Sequence, residues 1–148
     1  MFDKILVVCH GNICRSPLAE AMLKAALPHC RVESAGLHAL VGHPADASTQ
    51  DVATPDGLVL QYHKGRQLNS EMLNEADLIL VMSQSQRTAI GEKLPAALGK
   101  TMLLGHWLPK QQEIPDPHGK SREVFQLVHE QIRQATVAWS QKLQKTGR

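Results

Sequence analysis

The chain has 148 residues, 43% of them hydrophobic, which is enough for one α/β-sized domain with a buried core. A net charge of +2, spread over scattered lysines and arginines, argues against nucleic acid as a partner, and no apolar stretch reaches the length of a membrane span. Three cysteines, an odd number, speak against a disulfide framework and for a reducing compartment; Asp3 and Lys4 interrupt any N-terminal leader, so a cytoplasmic location is expected.

The first element is the apolar run Ile5-Leu6-Val7-Val8, short and rich in branched residues, which reads as a buried strand. Leu18 to Leu27 is a run of strong helix formers, with Ser16 placed as its N-cap and Pro17 at the first helical position. Between them lies the loop Cys9-His10-Gly11-Asn12-Ile13-Cys14-Arg15. A tight loop between a strand and a helix N-terminus aims successive N–H groups and the positive helix end at one point, which favours an anion.

Into this loop the sequence puts a thiol, Cys9, and a guanidinium, Arg15, six positions apart. Such a field favours the nucleophilic thiolate over the thiol. Arg15 offers a planar fork suited to two phosphoryl oxygens at once. Gly11 and Asn12 tolerate the left-handed backbone that turning N–H groups inward demands. A lone cysteine at a strand end is ordinarily a small buried hydrophobe; the company of Gly11, Asn12, Arg15 and Ser16-Pro17 separates Cys9 from that case. The chemistry indicated is nucleophilic attack on phosphorus or on a similar tetrahedral oxyanion. Cys14, five residues from Cys9, is either a buried loop residue or a thiol that traps oxidised Cys9 as a reversible disulfide.

The segment Val8-Cys9-His10-Gly11-Asn12-Ile13-Cys14-Arg15-Ser16-Pro17 resembles the phosphate-binding loop of the low-molecular-weight protein tyrosine phosphatases, a Cys-x5-Arg-Ser signature near the N-terminus. The resemblance implies that His10, Gly11, Asn12, Ile13, Cys14 and Ser16 form and support the phosphate cradle, with Ser16 donating to the sulfur. It also implies a general acid in an Asp-Pro motif about a hundred residues later, and Ile114-Pro115-Asp116-Pro117 stands there.

Along the rest of the chain, Cys30 to Gly36 reads as a second strand ending in a turn, with Cys30 in the core. By resemblance Ser34 holds the Asn12 side chain. Leu37 to Pro44 is a loop with two histidines, His38 and His43, at no spacing that closes a metal site. The family carries this loop as one wall of the substrate cleft. Leu37-His38-Ala39-Leu40-Val41-Gly42 is similar to the bacterial members linked to capsule and exopolysaccharide synthesis, with Leu40 in place of an aromatic residue. Ala47 to Val59 begins as a helix capped by Asp46 or Ser48 and ends near Pro55 and Gly57. In His63-Lys64-Gly65-Arg66 the family pattern implies His63 on the loop asparagine and Arg66 packed near the site, while Gly65 for the usual alanine implies a looser backbone.

Ser70 to Glu75 is a short helix, Asp77 to Met82 a third strand, Gln84 to Lys93 a surface helix and Lys100 to Leu104 a fourth strand. Gly99-Lys100-Thr101 mimics the end of a nucleotide-binding loop but lacks its first glycine, since residue 94 is Leu94. The last helix runs from about Lys120 to Lys142, capped by Ser121, with Val124, Leu127, Val128, Ile132, Ala135, Trp139 and Leu143 as its apolar face.

Strands alternating with helices give an α/β fold: a single three-layer domain over residues 1–148, a central four-stranded parallel sheet flanked by helices, and the phosphate loop after strand 1. In the mechanism expected, Cys9 attacks phosphorus, Arg15 and the loop N–H groups stabilise the oxygens, and Asp116 protonates the leaving phenolate. Leu40 and His118 would grip the phenol in place of aromatic walls. The resemblance implies a phosphotyrosine protein as partner, an autophosphorylated bacterial tyrosine kinase of exopolysaccharide synthesis. No cofactor, metal, nucleic acid or membrane insertion is expected, and a monomer is the favoured state. Two rivals stand beside this reading. Arsenate reductases of similar fold need two further cysteines past the third strand, which this chain lacks; a non-catalytic phosphotyrosine-binding module would not need nucleophile, arginine and acid together.

Overall fold

The computed structural model describes residues 2–146. Four strands, β1 (Lys4–Cys9), β2 (Arg31–Gly36), β3 (Leu78–Val81) and β4 (Thr101–Leu103), form one parallel sheet in the order β2-β1-β3-β4. Five α-helices connect and cover them: α1 (Arg15–Ala26), α2 (Ala47–Ala53), α3 (Ser70–Glu75), α4 (Gln84–Lys93) and α5 (Arg122–Thr146). The chain leaves β1 toward β2 on one side and returns to β3 on the other. In a parallel sheet that reversal leaves a crevice at the strands' carboxyl ends, the place where such folds bind ligands.

The twofold period of β1 assigns its side chains to two cores. Ile5, Val7 and Cys9 pack with Leu18 and Leu23 of α1 and Val128, Ile132 and Trp139 of α5. Leu6 and Val8 pack on the opposite face with Leu68, Leu73, Ile90 and Ala97. Each fully buried Leu or Ile contributes about 1.5–3 kcal/mol. Cys9 thus stands on the α1 side, at the helix mouth, because it is the last odd-numbered residue of β1. Trp139 also anchors α5 to the exit of β4 by donating from Nε1 to the Leu104 carbonyl at 2.8 Å.

Side-chain caps begin most of the helices, Asp46 and Ser121 among them as the sequence indicates. Asp46 accepts from the Ser48 amide, Asn69 from Met72, Ser83 from Gln86 and Ser121 from Val124. Helix α1 differs. It begins at Arg15 with no side-chain cap, and Ser16 lies inside its first turn, because the Ser16 hydroxyl is engaged with Cys9 and Asn12 instead. On α5, Leu127 is exposed, whereas Phe125 is buried with Ile13, Cys14 and Val52 in a small cluster joining the loop to α2 and α5. Cys30 precedes β2 and is only partly buried, against the edge of the main core. Among the described residues no helix is long and apolar enough to cross a membrane.

Candidate active site

The loop after β1 wraps its own thiol. Cys9 Sγ accepts the Asn12 N–H at 3.3 Å and stands 3.0 Å from Ser16 Oγ. Asn12 supports that turn from behind. Its φ is +58°, a left-handed conformation that asparagine tolerates. Its Nδ2 donates to Ser16 Oγ at 2.7 Å and to Ser34 Oγ at 2.9 Å, and its Oδ1 accepts the Arg66 amide at 2.9 Å. The Asn12 carbonyl lies 2.6 Å from His63 Nε2, and since a carbonyl only accepts, that nitrogen carries the proton. Ser34 in turn donates to Glu20 on α1, which pairs with Lys24. These bonds tie the loop to β2, to α1 and to the segment before α3.

Replacing Asn12 by alanine leaves the Arg66 amide and the Ser34 hydroxyl short of a partner. We expect a loss of about 1–3 kcal/mol, a fall in Tm of roughly 2–4 °C per kcal/mol for a chain of this size. Calorimetry of the variant checks it, and an unchanged Tm would mean the network carries no stability.

Arg15 is 5% exposed and is held from across the fold. Its Nη1 donates to the Ile114 carbonyl at 2.8 Å, and its Nη2 lies 3.8 Å from Asp116 Oδ2. Its Nε is buried with no hydrogen-bond partner among the described residues, a donor suited to a bound oxyanion. Asp116 is half exposed, and its Oδ1 accepts the His118 amide at 3.0 Å. The segment following Ile114 therefore carries a carboxyl group to the rim above the loop.

One cleft gathers Cys9, His10, Gly11, Ile13, Cys14, Arg15, His38, Leu40, Asp116 and His118. Asn12, Ser16, Ser34 and His63 lie behind it in the network described above. Arg66 behaves differently from the packing role that the family pattern implies: its guanidinium pairs with Glu33 at 3.5 Å, and it is the backbone amide that serves the site. Gly65 does not loosen the backbone. A Cβ there would meet the Leu40 carbonyl at 2.3 Å, and Gly65 exchanges backbone bonds with Gly42 and His43. The absent side chain lets the cleft wall bearing Leu40 lie close against residue 65. Sequence reading missed Glu20, Thr49, Phe125 and the Ile114 carbonyl, each of which acts only through a partner distant in the chain.

Cys9, Cys14 and Cys30 are free thiols. Burial, and next the nearby Asp46 carboxylate, push the Cys14 thiol up to about 12 from an ordinary 9.0. The shift favours the neutral thiol, the weaker nucleophile, at Cys14. The shift also has a sign for stability. Between about pH 9 and pH 12 the unfolded chain has lost this proton and the folded one keeps it, so stability falls as pH rises through that window. The slope approaches 1.4 kcal/mol per pH unit. Denaturant titrations should show the slope flattened in Cys14→Ala; an identical slope in both proteins would remove Cys14 as its source.

A parallel sheet whose first strand delivers a buried thiol into a loop that turns the Asn12 N–H onto the sulfur, with an arginine and a carboxyl group at the same cleft, has the parts of a phosphomonoester hydrolase. Comparison with known proteins gives the family. Residues 4–148 match the low molecular weight phosphotyrosine protein phosphatases, and the chain belongs to that family. It is 46% identical over 144 residues to the low molecular weight protein-tyrosine-phosphatase Etp of Escherichia coli K12, covering 97% of each chain. It superposes with a TM-score of 0.94 on the crystal structure of the tyrosine phosphatase Wzb from Escherichia coli K30 in complex with sulphate, at 48% identity, covering 97% of this chain and 99% of that one. The YwlE arginine phosphatase from Geobacillus stearothermophilus superposes with a TM-score of 0.92 at 32% identity, over 99% of this chain and 95% of that one.

Proposed function

We propose that this protein hydrolyses phosphotyrosine in proteins through a phosphoryl group carried on Cys9. The observation that supports it most is the placement of Arg15, held by the Ile114 carbonyl so that one guanidinium stands between the loop of Cys9 and the carboxyl group of Asp116. Phosphate bound in the loop meets Arg15 and the loop N–H groups, which stabilise the charge on its equatorial oxygens. Cys9 attacks phosphorus in line, the P–O bond to the phenol breaks, and Asp116 gives its proton to the departing oxygen, whose phenol has a pKa of about 10. Asp116, now a carboxylate, takes a proton from water as that water attacks the phosphocysteine. Ser16, 3.0 Å from the sulfur, stabilises the thiolate as it leaves.

The substrate inferred is a phosphorylated tyrosine kinase of bacterial exopolysaccharide or capsule assembly, as the likeness to Etp and Wzb suggests. Leu40 and Ile13 give the cleft apolar walls for a ring, and His118 gives it a polar one. Without an aromatic wall, affinity has to come partly from contacts outside the phenol, which a protein substrate supplies. A cell interior would keep Cys9 reduced for this chemistry.

The test is phosphate release from matched peptides bearing phosphotyrosine, phosphoserine or phosphoarginine, followed by the phosphorylated kinase itself. Release is expected from phosphotyrosine peptides and from the kinase. Release from phosphoarginine alone would assign the chain the activity of its more distant neighbour. A kinase left phosphorylated would overturn the partner.

A further inference from the structure

Three donors far apart in the sequence meet beside the cleft: the Cys14 sulfur, an Asp46 carboxylate oxygen and an imidazole nitrogen of His118, all within 4.8 Å of one another. We propose that they form a binding site for a thiophilic divalent cation, zinc or a similar ion, through which the cation reversibly blocks the phosphatase cleft.

The donors are free to serve. Asp46 uses Oδ2 to cap α2, accepting from Ser48, and turns Oδ1 toward His118 Nδ1, 4.0 Å away. The His118 ring is 61% exposed, so a small rotation brings it in to the shorter ligand separations of a tetrahedral ion. Cys14 is buried and fixed by Ile13, Val52 and Phe125. Beside it lies the Thr49 hydroxyl, fully buried and, among the described residues, without a hydrogen-bond partner of good geometry. A hydroxyl in that place donates to a metal-bound thiolate, the kind of outer contact that orients ligands and tunes affinity.

The donor set selects the ion. Sulfur, imidazole and one carboxylate suit zinc, whereas magnesium and calcium take oxygen. Coordination breaks the Cys14 S–H bond, forms the metal–sulfur bond and releases the proton to solvent. Three protein ligands leave a fourth position for water or an oxyanion. Cys14 and His118 both line the cleft, and the His118 amide holds Asp116, so a bound cation clamps the segment carrying Asp116 against the loop. The expected consequence is loss of turnover that a chelator restores.

Cadmium reports the site through its thiolate charge-transfer absorbance, and zinc competes it off. The Cys9→Ser protein is titrated first, so that the nucleophile's thiol cannot supply the signal. One cadmium per chain with the charge-transfer band is expected, lost on adding Cys14→Ser and weakened by about tenfold or more on adding His118→Ala. Because the His118 ring is exposed, that substitution leaves the folded chain intact, and its melting curve verifies this. In enzyme with Cys9 in place, His118→Ala should raise the zinc concentration giving half inhibition by the same factor. A band that vanishes with Cys9→Ser alone, or that ignores both Cys14→Ser and His118→Ala, would overturn the site.

Discussion

Replacing Cys9 by serine lowers turnover of aryl phosphates on the order of 10⁴-fold or more, the scale on which hydrolases respond to loss of a covalent nucleophile. The sulfur is held by the Asn12 amide and by Ser16, contacts that a serine oxygen can keep. The cradle and Arg15 stay in place in this variant, so phosphate and vanadate should still bind. Steady-state kinetics together with isothermal titration of phosphate separate the two properties. Activity retained within tenfold of wild type would mean that water attacks phosphorus directly and that Cys9 is a bystander.

Asp116→Asn is the second large effect, and its size depends on the substrate. For phenyl phosphate and phosphotyrosine, kcat/KM falls by about 10²–10⁴, the usual contribution of a positioned general acid. For p-nitrophenyl phosphate, whose leaving group is a far weaker base, the first step needs little proton donation and the fall in kcat/KM, which reports that step alone, is much smaller, although kcat falls with either substrate because Asp116 also activates the water. The contrast tests the role, because Asp116 also lies 3.8 Å from Arg15. If its part were only to orient that guanidinium, both substrates would lose the same factor.

Much of the fold is legible locally. Helices α3 and α4 run from Ser70 to Glu75 and from Gln84 to Lys93 as the sequence indicates, because Asn69 and Ser83 cap them with their own side chains. Strands β3 and β4 lie within their expected ranges and are shorter at the ends, whereas β1 outruns its apolar run Ile5-Leu6-Val7-Val8 by one residue at each end because Lys4 and Cys9 pair with Arg31 and Gly36 of β2. The misreadings share a cause. Ser16 has the chemistry of a cap, but a cysteine seven residues earlier and an asparagine four residues earlier take its hydroxyl. Leu127 fits the apolar stripe of α5 by spacing, but Phe125 is the residue that meets α2, and only the docking of the two helices decides between them. Gly65 reads as looseness in one dimension and is a close contact with Leu40 in three.

The site divides in the same way. Cys9 and Arg15 can be read from six residues of spacing, because one loop places both. Asp116 stands a hundred residues away and is reached in the sequence only through resemblance; the fold brings it to Arg15 through the Ile114 carbonyl. Nothing local marks Glu20, Thr49 or Asp46 as neighbours of the loop, since each is polar for ordinary reasons of helix surface, helix packing or capping.

The most direct measurement is to mix the Asp116→Asn enzyme with excess aryl phosphate bearing a good leaving group, quench in acid within the first turnovers, and locate the phosphoryl group by peptide mass spectrometry. With water activation slowed and departure of the leaving group little affected, a phosphoryl group is expected on the peptide containing Cys9, on its sulfur, and absent from Cys9→Ser. Phosphate released with no labelled protein, or a label on a histidine or carboxylate instead, would contradict it.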